Sequence, residues 1–289
     1  MKNILIFFNK LIKKETLNLD GLVLILGQKC NLKCKYCANF SPLSSNLMPS
    51  YNCDEIINDL KIFTKNISIN NLQIQGGEPF LYKDLDKILD YVYYNKNIIG
   101  VTIATNGVKI PTEEILNKIK TYSDKIKIRI SNYGDINNKF VEKFENKLNE
   151  LDIFYYTHKF INSDDNWFDC GNDPYMKRLT DEEMMKYFNE CLFKYQCLTL
   201  ENGFLSICSR ATISYLIQGF NVEDKKDGFF IRKSFNFIKL KKFLKEKKPV
   251  EACYYCYGTQ LNRRVKPGEQ MSKEEICKTN DLIKNKLNC

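Results

Sequence analysis

The chain has 289 residues, is 44% hydrophobic and 27% charged, and carries a net charge of +9. That suits one large α/β domain whose core needs no disulfides. The basic excess is spread out apart from the run Lys239–Lys248, and no zinc finger or other nucleic-acid motif accompanies it. Neither nucleic acid nor a membrane is expected as a partner. The apolar stretch Ile4–Phe8 is too short for a signal-peptide core, and nothing approaches the ~20 apolar residues of a membrane span. A cytoplasmic protein is expected. Twelve cysteines in a reducing compartment point to metal or redox work, against the plainer reading of thiols packed as small hydrophobes.

In chain order, residues 1–20 read as an extension. Leu22–Leu26 is a continuous apolar run, as for a strand buried on both faces, and a cysteine loop follows. A helix is expected over Asp54–Lys65, a strand over Leu72–Gln75 ending at Gly76-Gly77, and a helix within Tyr82–Asn95. A strand over Val101–Thr105 ends at Asn106-Gly107, and Pro111 and Thr112 open the next helix. Ile126–Ser131 is a strand, Asn138–Glu150 a helix and Ile153–Thr157 a strand. The alternation implies βαβ units and a parallel sheet over residues 21–160, with the active site beyond the carboxyl ends of the strands.

The rhythm changes after residue 160. A long polar loop precedes a helix at Thr180–Cys191, where Thr180 and Glu183 form a capping box. Leu198–Ile207 reads as a hairpin turning at Asn202-Gly203. A smaller module is assigned to residues 161–260, in which the lysines of 239–248 form a solvated helix face over an apolar stripe. A polar tail covers residues 261–289.

Cys30, Cys34 and Cys37 follow the first strand with spacing C-x3-C-x2-C. One loop with such short spacings wraps three thiolates around a cuboidal cluster and leaves a fourth iron open to chelate a substrate. Zinc is the chemical rival, although the next cysteine, Cys53, lies sixteen residues on. Further along, Cys191, Cys208, Cys253 and Cys256 flank the hairpin and form a C-x2-C pair. By spacing alone this second set also fits a structural zinc ribbon.

The run CNLKCKYC, with Tyr36 as its aromatic, and Gly76-Gly77-Glu78-Pro79 at the end of the next strand resemble the radical S-adenosylmethionine superfamily. That resemblance implies a partial (β/α)6 barrel and a [4Fe–4S] cluster on Cys30, Cys34 and Cys37. It implies S-adenosylmethionine bound near Tyr36 and Gly76–Pro79, with Thr105, Asn106 and Ser131 at later strand ends. It implies reductive cleavage to a 5′-deoxyadenosyl radical with a flavodoxin or ferredoxin type electron donor. The second cysteine set resembles the "twitch" module, a hairpin plus helix holding one auxiliary [4Fe–4S] cluster, with Cys197 as a substitute for Cys191.

Size and cluster number are similar to 2-deoxy-scyllo-inosamine dehydrogenase, which implies an oxidoreductase dehydrogenating a carbohydrate-like or aminocyclitol alcohol. The segment Ala38-Asn39-Phe40-Ser41-Pro42 looks like radical enzymes of sugar and surface-polysaccharide pathways. A radical peptide or protein maturase is the alternative enzyme, and a zinc-binding scaffold the alternative without catalysis. Arg129, Arg178 and Arg210 are candidates to bind polar or anionic substrate groups; Arg210 and Arg178 stand as the candidate catalytic residues. His158, the single histidine, is read as a loop or core hydrogen-bonding residue.

Overall fold

The structure is a computed structural model that describes residues 16–160, 167–171 and 176–287. Five strands and four helices alternate: β1 (Leu17–Ile25), α1 (Cys53–Thr64), β2 (Ile67–Gln75), α2 (Leu85–Tyr94), β3 (Ile98–Thr105), α3 (Glu113–Thr121), β4 (Ile126–Asn132), α4 (Asn138–Glu150) and β5 (Tyr155–Lys159). Then come α5 (Asp181–Glu190), the hairpin β6 (Thr199–Glu201) and β7 (Phe204–Ser206), α6 (Ser209–Gln218), β8 (Phe229–Phe230), α7 (Phe237–Glu246) and α8 (Lys273–Leu287).

The strands form one open sheet in the order β5-β4-β3-β2-β1-β6-β7-β8. Strands β1 to β6 are parallel and β7 and β8 antiparallel. Residues 17–159 thus supply five of the six parallel strands of the partial barrel, and β6 supplies the sixth on the far side of β1. The hairpin module therefore continues the barrel's own sheet, pairing Val23 with Thr199.

The apolar alternation explains the layers. Ile67, Ile69, Leu72 and Ile74 of β2 and Ile126, Ile128 and Ile130 of β4 face the helices, where Leu60, Phe63, Ile88, Leu116 and Phe144 meet them in one core. The opposite face carries Gln73, Gln75, Ala104, Arg129 and Ser131 and lines a cavity. Helix starts are capped as the side chains demand. Asn52 accepts from the Glu55 N–H, Thr112 from Ile115, and Thr180 with Glu183 completes a capping box. In the hairpin, Asn202 and Gly203 both adopt positive φ, the conformation a tight two-residue turn requires.

Strands β1 and β2 start five residues earlier than the apolar runs suggest, because Leu17↔Ile67 through Gly21↔Asn71 pair although Asn18, Asp20 and Asn70 interrupt the hydrophobic pattern. The tail folds back on the cysteine loop. Lys35 N–H donates to the Glu269 carbonyl (2.6 Å), Met271 N–H donates to the Lys33 carbonyl (2.7 Å), and Lys35 pairs with Glu269 and Glu275. Helix α7 buries Leu240, with Phe243 and Leu244 packed on the core and Lys241, Lys242 and Lys245 outside. No helix among the described residues is long and apolar enough to cross a membrane.

Candidate active site

The loop after β1 carries Cys30, Cys34 and Cys37 to the carboxyl ends of the strands. Tyr36 and Phe40, flanking Cys37, both have left-handed φ (57° and 55°), which curls the loop back on itself. All three thiols then line one cavity of ≈ 300 Å³, together with Tyr36, Asn39, Gly76, Gly77, Thr105, Asn106 and Ser131. Among the described residues no three His, Cys, Asp or Glu side chains converge as ligands of one metal ion do. A cuboidal cluster puts each thiolate on a different iron, so thiols ringed around a cavity match its demands. Burial pushes the thiols of Cys30 and Cys34 up to about 12, with the charge of Cys37 adding to the effect. Bound iron would displace those protons and stabilise the thiolates.

The Gly-Gly loop is locked to the cysteine loop through backbone. Gly77 N–H donates to the Gly27 carbonyl (2.9 Å) and Glu78 N–H to the Lys29 carbonyl (2.8 Å). A Cβ on Gly76 would stand 2.2 Å from the Gly27 oxygen, and one on Gly77 2.0 Å from the Lys29 oxygen. Both positions admit only glycine. Asn39 Nδ2 donates to the Gly76 carbonyl (2.8 Å).

Glu78 and Pro79, expected beside the cofactor, do not line this cavity. The Glu78 carboxylate is buried and turned toward β3, accepting from Thr105 Oγ1 (2.8 Å), Asn106 N–H (2.9 Å) and Phe80 N–H (3.1 Å). Desolvation raises it to about 7 despite those bonds. Asn106 Nδ2 donates to Asn31 Oδ1 (2.7 Å) and lies 3.8 Å from Cys30 Sγ. Asn137 donates from its amide to the carbonyls of Asn106 (2.6 Å) and Ser131 (2.8 Å), tying together the ends of β3 and β4.

Cys191, Cys208, Cys253 and Cys256 line a second, small cavity of ≈ 30 Å³ between α5, α6 and the 250s loop. Cys197 instead lines the main cavity. Burial, then the charges of Cys191 and Cys256, pushes Cys208 up to about 12. Cys256 is held below the ordinary thiol range by a hydrogen bond from Cys170 and by the Arg210 guanidinium. Cys170 is thus a buried partner of the second set.

Arg210 and Arg178 do not line the main cavity. Arg210 is fully buried, with Nη2 donating to the Gly171 carbonyl (3.0 Å) and its guanidinium 4.3 Å from the Phe40 ring centre. It sits between the second cysteine set and the segment after Cys37. Arg178 lies at the surface, paired with Glu251 and stacked on Tyr254. His158 is exposed and packs on Phe160.

Three features escaped the sequence. Gln270 Nε2 donates to Cys34 Sγ (3.3 Å), a contact across 236 residues that no local pattern signals. Buried Glu201 accepts from Gln28, Tyr51 and Thr212, linking the hairpin to the cysteine loop. Trp167 closes one flank of the cavity against Tyr133 and Phe160. Its only sequence signal is that it is the single tryptophan, set in a polar loop.

Residues 24–155 match the Radical SAM superfamily. A Methanocaldococcus jannaschii protein named for glycyl-radical enzyme activation is 29% identical over 157 residues, covering 53% of this chain and 56% of that one. A GTP 3′,8-cyclase of Aquifex aeolicus is 33% identical over 104 residues, 34% of this chain and 31% of that one. The chain therefore spans from about a third to about half the length of these relatives. The structure of native anSMEcpe with bound AdoMet shares the fold at 16% identity and a TM-score of 0.50, over 93% of this chain and 97% of that one.

Proposed function

We propose that this chain, whose residues 24–155 match the Radical SAM superfamily, cleaves S-adenosylmethionine and dehydrogenates a carbohydrate-like alcohol. The observation that carries the reading is the single cavity shared by Cys30, Cys34, Cys37 and the backbone of Gly76–Gly77. Cys30, Cys34 and Cys37 would hold a [4Fe–4S] cluster, and Cys191, Cys208, Cys253 and Cys256 an auxiliary one. When bound, these groups and S-adenosylmethionine supply a 5′-deoxyadenosyl radical and an acceptor for the electron left on the substrate. A flavodoxin or ferredoxin type protein would be the electron donor.

The chain's own residues bind, orient and exclude water. Gly76 and Gly77 allow the close backbone approach to the cysteine loop and line the cavity where the methionine moiety would sit. Glu78 and Asn137 act through others: they fix the ends of β3 and β4, and with them Thr105, Asn106 and Ser131. Gln73, Gln75 and Ser131 offer hydrogen bonds and Tyr133, Phe160 and Trp167 offer ring faces, the mixed lining that suits a small polar ring compound. Arg210 serves as a positioning residue, bridging the wall between the two cysteine sets.

The test is anaerobic turnover of the reconstituted protein with dithionite, S-adenosylmethionine and a panel of sugar phosphates, nucleotide sugars and aminocyclitols. Substrate-dependent 5′-deoxyadenosine with a matching carbonyl product is expected. Turnover on a peptide alone would replace the carbohydrate assignment with a maturase. A zinc-bound, colourless protein would replace the enzyme with a scaffold.

A further inference from the structure

Arg129 is a cation in the main cavity with no counter-ion among the described residues. It lies on β4 between Ile128 and Ile130, which are fully buried against the helices, so its side chain emerges on the cavity face. Its Nε is buried without a hydrogen-bond partner. No Asp or Glu stands among the described residues that line the cavity. Arg178, Arg232 and Arg263, by contrast, each pair with a carboxylate. A buried N–H donor left without an acceptor is costly, so a cavity that keeps the Nε of Arg129 unmet suits an anion that would complete it.

A second donor points the same way. The indole Nε1 of Trp167 is also buried without a partner and lines the same cavity. Its ring is held edge-on to Tyr133 (5.1 Å) and Phe160 (5.5 Å), which fixes the direction of the N–H. Two orphaned donors, one of them a planar fork suited to two oxygens, are what an oxyanion needs.

Arg129 lies deeper along β4 than Ser131 and across the sheet from the cysteine and Gly-Gly loops, which suits a substrate group. The cysteine loop follows β1 and the Gly-Gly loop follows β2, whereas Arg129 is on β4, paired with Ala104 of β3 and Tyr156 of β5. At about 4.8 Å per strand, β4 stands roughly 10 Å from β2 and roughly 14 Å from β1. We infer that Arg129 and the Trp167 N–H form an oxyanion subsite, so that the substrate is an anionic carbohydrate bearing a phosphate or a carboxylate. The inference rests on the proposed sugar-directed function and names its substrate class.

Because Trp167 is the chain's single tryptophan, its fluorescence reports the subsite without turnover. The reconstituted protein is titrated with glucose 1-phosphate, glucuronate and glucose. The charged sugars are expected to give a saturable change at least tenfold tighter than glucose, and the tighter of the two identifies the oxyanion. Arg129→Gln should abolish that preference, Arg129→Lys should keep part of it, and both should bind S-adenosylmethionine within twofold of the parent. Equal responses to the three sugars, no response, or a tenfold loss of S-adenosylmethionine binding in Arg129→Gln would overturn the inference. The last result would assign the guanidinium to the methionine carboxylate. Uncoupled 5′-deoxyadenosine formation by the parent is measured in parallel. Its absence would remove the radical reading and leave the anion titration standing on its own.

Discussion

Replacing Gly77 with alanine tests how the two loops of the site are held together. The added Cβ would lie 2.0 Å from the Lys29 oxygen, 2.4 Å from its carbonyl carbon and 2.7 Å from the Gln28 oxygen. All three are backbone atoms, so no side chain can swing away. The loops must part, breaking the bonds from Gly77 N–H to Gly27 and from Glu78 N–H to Lys29. Two backbone hydrogen bonds contribute about 2 kcal/mol together, and forcing the extra methyl in costs about 1–3 kcal/mol more. A loss of about 3–5 kcal/mol corresponds to a fall in Tm of roughly 5–15 °C. Lys29 precedes Cys30, so the same displacement moves the first thiolate. S-adenosylmethionine affinity should therefore drop at least tenfold, read by equilibrium dialysis under anaerobic conditions. Gly21→Ala is the control, because its Cβ would meet only Asn71 O at 3.7 Å. If Gly77→Ala melts with the parent and binds S-adenosylmethionine equally well, the backbone clamp does not exist as described.

Glu78 makes stability depend on pH. Its folded pKa of about 7 lies above the ordinary 4.5, so its contribution is fully present below pH 4.5 and is lost as pH rises through 7. Urea titrations should show the parent losing up to about 3 kcal/mol across that window relative to Glu78→Gln, and parallel curves would contradict this. Arg232 grips Asp59, whose side chain is 2% exposed, with two hydrogen bonds of 2.6 and 2.7 Å. Arg232→Met should cost about 2–4 kcal/mol, moderated because the arginine is 30% exposed, and adding Asp59→Asn should recover most of it in the same denaturation assay. Gln270→Leu removes the donor to Cys34 Sγ and the acceptor for Lys33 N–H. It should loosen the tail by about 1 kcal/mol and shift the cluster's potential to more negative values in a redox titration.

Much of this architecture is legible in the chain. The apolar runs at 22–26, 101–105 and 126–131 are strands because each faces helices, and the short cysteine spacing does deliver three thiols to one cavity. What sequence cannot supply is long-range geometry. Gln270 reaches Cys34 and Glu201 reaches Gln28 only because β6 joins β1 and the tail folds back. Burial is equally hidden. Arg210 beside Cys208 invites a catalytic role, yet the fold encloses it in a wall, whereas Arg129, which the sequence marks only as one of three candidate arginines, opens into the cavity. Glu78 belongs to a loop that suggests ligand contact, but its carboxylate is satisfied by β3.

The proposed radical chemistry needs an iron–sulfur cluster on Cys30, Cys34 and Cys37 with one iron open to S-adenosylmethionine. Electron paramagnetic resonance of the dithionite-reduced, reconstituted protein tests it directly, with Cys191→Ala/Cys208→Ala used to remove the second set's signal. A reduced-cluster signal that changes shape when S-adenosylmethionine is added, and vanishes in Cys34→Ala, is predicted. A signal indifferent to S-adenosylmethionine, or one that survives loss of Cys34, would contradict it.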